Sequence, residues 1–213
     1  RETRFYTLIT MIGILGISFS LWHFDGYTIL EAIRSGAFQA VAIITTTGFG
    51  TDDYELWYSF GAFLLLLFFF TGGSAGSTGG GIKMIRWMIL IRNTGREIKQ
   101  IIHPKAILPV RIGDQAINQN IQRTVLSFFI LYMFIFGLGA FIISLFGYDI
   151  MSSAGASIAA LGNIGPGWGE FGPTDSFAKM PYLGKWVMIM LMMIGRLEIF
   201  TVLIIFSPAF WKQ

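Results

Sequence analysis

The chain has 213 residues, of which 54% are hydrophobic and 13% charged, and its formal net charge is +3. A mean hydropathy of +0.65 excludes an ordinary soluble domain, which needs more charge to cover its surface. Cysteine is absent, which excludes disulfides and thiolate metal sites.

In chain order, Phe5 to Trp22 is an unbroken apolar block, long enough to cross a hydrocarbon core that takes roughly 20 helical residues. Tyr27 to Ile44 is only moderately apolar and leads into Thr45-Thr46-Thr47-Gly48-Phe49-Gly50, so it reads as a short helix that enters the membrane and turns back. Leu56 to Phe70 is a second crossing block, dense in leucine and phenylalanine, and runs into a glycine-rich stretch. Met84 to Ile91 is about half a span. Thr124 to Phe146 is a third block, Ile150 to Leu161 a second short helix ending in Gly162-Asn163-Ile164-Gly165-Pro166-Gly167, and Trp186 to Phe206 a fourth block. The predicted fold is all-α and polytopic, with two repeats of span, pore helix, filter and span at 1–92 and 124–213, joined by a connection at 93–123.

Charge placement predicts the orientation. Lys83, Arg86, Arg92, Arg96, Lys99, Lys105, Arg111 and Arg123 face only Glu97 and Asp114 in the long middle connection, which is therefore expected on the cytoplasmic side. Asp25, Glu31, Asp52, Asp53 and Glu55 against Arg34 mark the opposite side, where acids would concentrate cations. Tryptophans 22, 57, 186 and 211 sit at span ends, as interface belts do. Met188, Met190, Met192 and Met193 read as packing residues, not metal ligands.

Setting Gly48 against Gly165 aligns the two units at a spacing of 117 residues, with Gly50 opposite Gly167. Irregular backbone at membrane depth persists only where it is buried in protein or lines water. Carbonyls of such turns, pointed inward, can replace the hydration shell of a monovalent cation. Neither turn carries a carboxylate, which argues against a divalent site.

Residues 71–81, TGGSAGSTGGG, hold six glycines and interrupt what would be one helix from Leu56 to Arg92. Small side chains and few contacts would let this segment rearrange. It also contains Gly72-Gly73-Ser74-Ala75-Gly76, a G-x-S-x-G pattern, but a serine nucleophile needs a base, and His23 and His103 both lie outside the spans. A phosphate-binding P-loop fails because Lys83 follows Ile82 and precedes Met84. Arg196 stands near the middle of the last span, where a charge must face protein or a wet cavity. Glu198, two residues on, is a poor helical partner for it.

TTTGFG (45–50) paired with LGNIGPG (161–167), together with TGGSAGSTGGGIK (71–83) and MIGRLEIF (193–200), resembles the Trk/Ktr/HKT superfamily of potassium transporters. The match is closest to the membrane subunit of bacterial Trk systems and covers essentially the whole chain. The resemblance implies a transporter and not an enzyme, with potassium as transported ion and no cofactor. Thr46, Thr47, Gly48 and Phe49 would line the ion filter with Asn163, Ile164, Gly165 and Pro166. Gly72, Gly73, Ser74, Gly76, Ser77, Thr78, Gly79, Gly80 and Gly81 would form an intramembrane gate together with Arg196. Family members carry four such repeats, so this chain, which lacks an initiator methionine, is expected to be the C-terminal half of a multi-pass protein of a bacterial inner membrane. Expected partners are the bilayer, the other two repeats, a second copy, and a cytoplasmic ring of nucleotide-binding regulatory subunits, with no nucleic acid. The alternative is a cation-coupled symporter with broken helices.

Overall fold

The computed structural model describes residues 2–104, 106, 108–113, 115–197, 199–205 and 210–212. It is mostly helical. The first half runs α1 (Glu2–His23), α2 (Ile29–Ile44), α3 (Ser59–Phe69) and α4 (Met84–Ile102). A two-residue antiparallel pair, β1 (Arg111–Ile112) with β2 (Gln115–Ala116), follows as a small departure from an all-helical plan. The second half runs α5 (Gln119–Ser144), α6 (Ile150–Gly162), α7 (Tyr182–Arg196) and α8 (Ile199–Ile205).

The halves are built alike. α1 packs along α2 and α3, and α5 along α6 and α7. Apolar side chains cover the outside as well as the core: Leu8, Ile12 and Leu15 of α1, and Ile130, Phe134 and Phe141 of α5, all face outward. α1 and α5 are long and apolar enough to cross a membrane.

Each short helix is started by its own side chains. Thr28 caps α2 in a capping box with Glu31, whose carboxylate accepts from the Thr28 N–H at 3.1 Å. Asp149 caps α6, accepting from the Met151 and Ser152 amides at 3.2 and 3.3 Å.

The closing spans differ from the sequence reading. Leu56 to Phe70 is a helix only from Ser59, because the chain ahead of it is a folded segment, and α4 continues to Ile102, well beyond the half-span expected. The Trp186–Phe206 block is not one helix: α7 ends at Arg196, with Leu197 as its cap, and α8 starts at Ile199. Arg196 is thus the last residue of a helix and not the middle of one; Glu198, Lys105, Asp114 and Phe206 lie outside the described residues. Trp57 is no belt residue either, being 6% exposed and packed on Tyr54, whereas Trp22, Trp186 and Trp211 face outward. Of the four methionines read as packing, Met188 alone is buried.

Candidate functional site

Both short helices end in the same way. The Thr46 amide donates to the Ile43 carbonyl at 3.0 Å, and the Asn163 amide to that of Ala160 at 3.0 Å. One residue later, Thr47 donates to Ala42 and Ile164 to Ala159, each at 3.0 Å. Every one of these bonds recurs 117 residues on, the spacing drawn from the sequence.

The backbone then reverses hand twice in each turn. Thr46 and Asn163 have φ of 56° and 53°, and Gly48 and Gly165 have φ of 70° and 122°. Asparagine tolerates that region, but a β-branched threonine does not, and such a residue carries about 1–3 kcal/mol of strain. The strain at Thr46 is supported by its neighbours: Thr45 Oγ1 donates to the Val41 carbonyl at 2.6 Å and lies 2.7 Å from Thr47 Oγ1, which in turn reaches the Ala42 carbonyl at 3.2 Å.

The two turns meet. A methyl group added to Gly48 would overlap the Ile164 carbonyl oxygen and lie 3.2 Å from Pro166, so only glycine fits there. Thr46, Thr47, Asn163, Ile164 and Gly165 line one face of a groove of about 570 Å³. The Phe49 ring is 70% exposed, so this residue enters the turn through its backbone.

The glycine-rich segment lies directly against both turns. A Cβ on Gly79 would stand 2.9 Å from Thr46 Oγ1, and one on Gly80 would overlap the Gly162 carbonyl. Its base is sealed by a parallel bridge between Thr71 and Ile82, with Gly72 N–H donating to Ile82 at 2.9 Å and Met84 N–H to Gly73 at 3.1 Å.

The expectation of few contacts fails: besides these, the Ala75 N–H donates to the Glu2 carboxylate at 2.7 Å, and Lys83 binds the loop from its end. Lys83, only 9% exposed, donates from Nζ to the carbonyls of Ser77 and Gly79 at 2.7 and 2.6 Å and to Ser77 Oγ at 3.0 Å. Counted with the basic residues of the connection, Lys83 in fact holds the loop. Its position between Ile82 and Met84, an isolated cation in an apolar run, was the available signal.

Arg196 and the loop lie together. Ser77, Thr78, Gly79, Lys83, Arg86 and Arg196 line one cavity of about 130 Å³. Arg86 lies 3.8 Å above the Phe128 ring. On α7, one turn before Arg196, the Met192 carbonyl accepts from Asn163 Nδ2 at 3.1 Å, a link from the second turn to this helix.

On the other side of the turns, Tyr54 and Trp57 of the segment 51–58 fold inward. Tyr54, fully buried, donates from Oη to the Gly167 carbonyl at 2.6 Å, and Glu55 accepts from the Gly169 N–H. Burial, reinforced by the Glu55 and Asp53 carboxylates, pushes the Tyr54 phenol well up, so it stays a donor. Burial likewise raises the Glu55 carboxyl; the Gly169 N–H opposes this, and Asp53, Asp175 and Asp149 add to it. Nothing in the sequence singled out Tyr54 or Glu55 for these contacts.

A family described as TrkH, cation transport protein, matches residues 2–213. The chain belongs to the TrkH family. This family's description is that of a transporter and not of an enzyme, which removes the hydrolase reading of Ser74. Among TrkH-family relatives, the chain is 37% identical over 212 residues to the Trk system potassium uptake protein TrkH of Halomonas elongata, and 36% identical over 212 residues to TrkG of Escherichia coli. All of this chain is covered in both cases, but it spans only 44% and 43% of those proteins. The crystal structure of the potassium transporter TrkH from Vibrio parahaemolyticus superimposes with a TM-score of 0.92 at 37% identity, over 99% of this chain and 45% of that one.

Proposed function

We propose that the chain supplies two walls of a potassium-selective pathway in an uptake protein of a bacterial inner membrane. The observation that carries the reading is the meeting of two turns of matched handedness, Gly48 against Ile164, over a loop that closes the space beneath them. Alternation of left- and right-handed residues brings successive carbonyls to one side, and a ring of carbonyls exchanges for the water around a monovalent ion. Thr46, Thr47, Gly48, Phe49, Asn163, Ile164, Gly165 and Pro166 form the filter in this proposal. The ion then passes the loop 71–81 and the Arg196 guanidinium, whose charge repels cations while the loop is closed. The names of its relatives, potassium uptake protein and potassium transporter, support the choice of ion.

The proposed units are a first repeat at 1–92, a connection at 93–123 and a second repeat at 124–213. Two further repeats of the parent protein complete the pathway, a second copy pairs with it, and a nucleotide-binding ring docks on the basic connection.

The test is cation flux into liposomes holding the full-length parent, comparing rubidium, potassium and sodium, with Gly48→Ser alongside. Uptake favouring potassium and rubidium, eroded by the substitution, is expected; unchanged selectivity would sink the filter assignment. A second reading, a cation-coupled carrier, draws on the breaks at 71–81 and after Arg196. Saturable exchange that depends on a co-ion would favour it over flux that follows the gradient.

A further inference from the structure

We propose that Tyr54 is a selectivity-positioning residue: from the first repeat, its hydroxyl sets the position of the Gly167 carbonyl at the outer end of the second turn. The inference deepens the filter reading and rests on it.

Tyr54 is placed for this by packing on every side. Its ring centroid lies 4.9 Å from that of Trp168, 6.2 Å from Phe69 and 6.3 Å from Trp57, and none of its surface is exposed. A ring so enclosed has one rotamer, and its Oη reaches one acceptor, Gly167 O, at 2.6 Å. Gly167 is fixed from its other side as well, because its N–H donates to the Phe171 carbonyl at 2.6 Å. The glycine is therefore clamped between a side chain of the first repeat and the backbone of the second. Glu55 adds a second tie one step along, at the Gly169 amide.

The arrangement is one-sided. The residue 117 positions after Tyr54 is Phe171, which packs at 4.8 Å on Phe177 and has no hydroxyl to give. The repeats share their turns but not this strut. Gly167 follows Pro166, the last of the proposed filter residues, so a tie on its carbonyl holds the outer end of that filter strand in place, and it acts on preference more than on throughput.

Tyr54→Phe removes the hydroxyl and keeps the ring. In flux assays on the full-length parent in liposomes, the potassium-to-sodium ratio is expected to fall about three- to tenfold, the net worth of one buried hydrogen bond. Melting temperature measured on the same preparation is expected to change little. Tyr148→Phe, which alters an aromatic ring beside Phe171, serves as the control and should keep the wild-type ratio. A wild-type ratio in Tyr54→Phe overturns the proposal, as does a lower melting temperature with reduced flux at an unchanged ratio, the signature of a purely structural role. If Gly48→Ser shifts selectivity and Tyr54→Phe does not, the strut alone fails; if neither does, the filter reading itself fails.

Discussion

The two turns share a backbone but are held by different means. The first is tied to its own helix: Thr45 and Thr47 bond back to Val41 and Ala42, residues of α2 itself. The second is held from elsewhere, by Met192 of α7 through Asn163, and by Tyr54 and Glu55 of the first repeat. The first turn keeps its shape by local bonds, whereas the second reports the position of its neighbours. A displacement of α7 therefore reaches the second turn directly, and the first only through the contact at Gly48 or through the loop at Gly79.

The contact between the turns is where the comparison breaks most easily. Gly48→Ser must displace the Ile164 carbonyl and also sit at φ of 70°. A loss of potassium-over-sodium preference of about five- to a hundredfold is expected in liposome flux, since strain of about 1–3 kcal/mol falls on the proposed filter.

Next comes the loop that both turns rest on. Lys83→Met keeps the length of the side chain and removes three hydrogen bonds. Charged hydrogen bonds are worth about 1.5–3 kcal/mol each, so the closed loop should loosen and basal flux rise several-fold. Hydrogen exchange at residues 77–80 checks it; protection equal to wild type would count against the tether.

Asn163 sharpens the difference between the turns. Asn163→Gly keeps the left-handed backbone and deletes the donor to Met192, an effect of about 1 kcal/mol. It should weaken the response of flux to changes at Arg196 while leaving the first turn unaffected. Wild-type coupling in the double variant would refute the link.

The smallest effect lies at a helix start. The Ser152 hydrogen bond holds the Asp149 carboxyl below its ordinary value of 3.8. Because the folded value is depressed, its stabilisation is complete above the unfolded value and is lost as pH falls through the folded one. Asp149→Ala should lower stability by about 1 kcal/mol at neutral pH and lose this difference in acid. Thermal melts across pH read it directly; a constant difference would contradict the assignment.

How much of this was legible follows from the same contrast. The two half-helices could be read because each depends on neighbours in sequence, and the repeat spacing because the same local pattern, with its glycine, occurs twice, 117 residues apart. The break after Arg196 could not, since Gly195, Arg196 and Glu198 interrupt the apolar run from Trp186 there but one glycine and two charges also occur inside unbroken helices. Lys83 was visible as a charge but not as a tether, because loop carbonyls such as those of Ser77 and Gly79 carry no mark in the sequence of the cation they accept from. Tyr54 and Glu55 join partners more than a hundred residues away, and an ordinary Tyr-Glu pair carries no local mark of that.

The bridge between Thr71 and Ile82 has a kinetic consequence. With its neck paired, the segment can move at its tip without separating α3 from α4, by releasing the Lys83 bonds at Ser77 and Gly79 and the Ala75 N–H from the Glu2 carboxylate, so tip motion and neck rupture are distinct events with distinct barriers. Amides of Gly72, Ile82 and Met84, each bonded to another backbone carbonyl, belong to the slow event, and that of Gly76 to the fast one. A conducting opening drawn from the fast class would flicker on the timescale of a loop, microseconds or less, while the helices around it stay still.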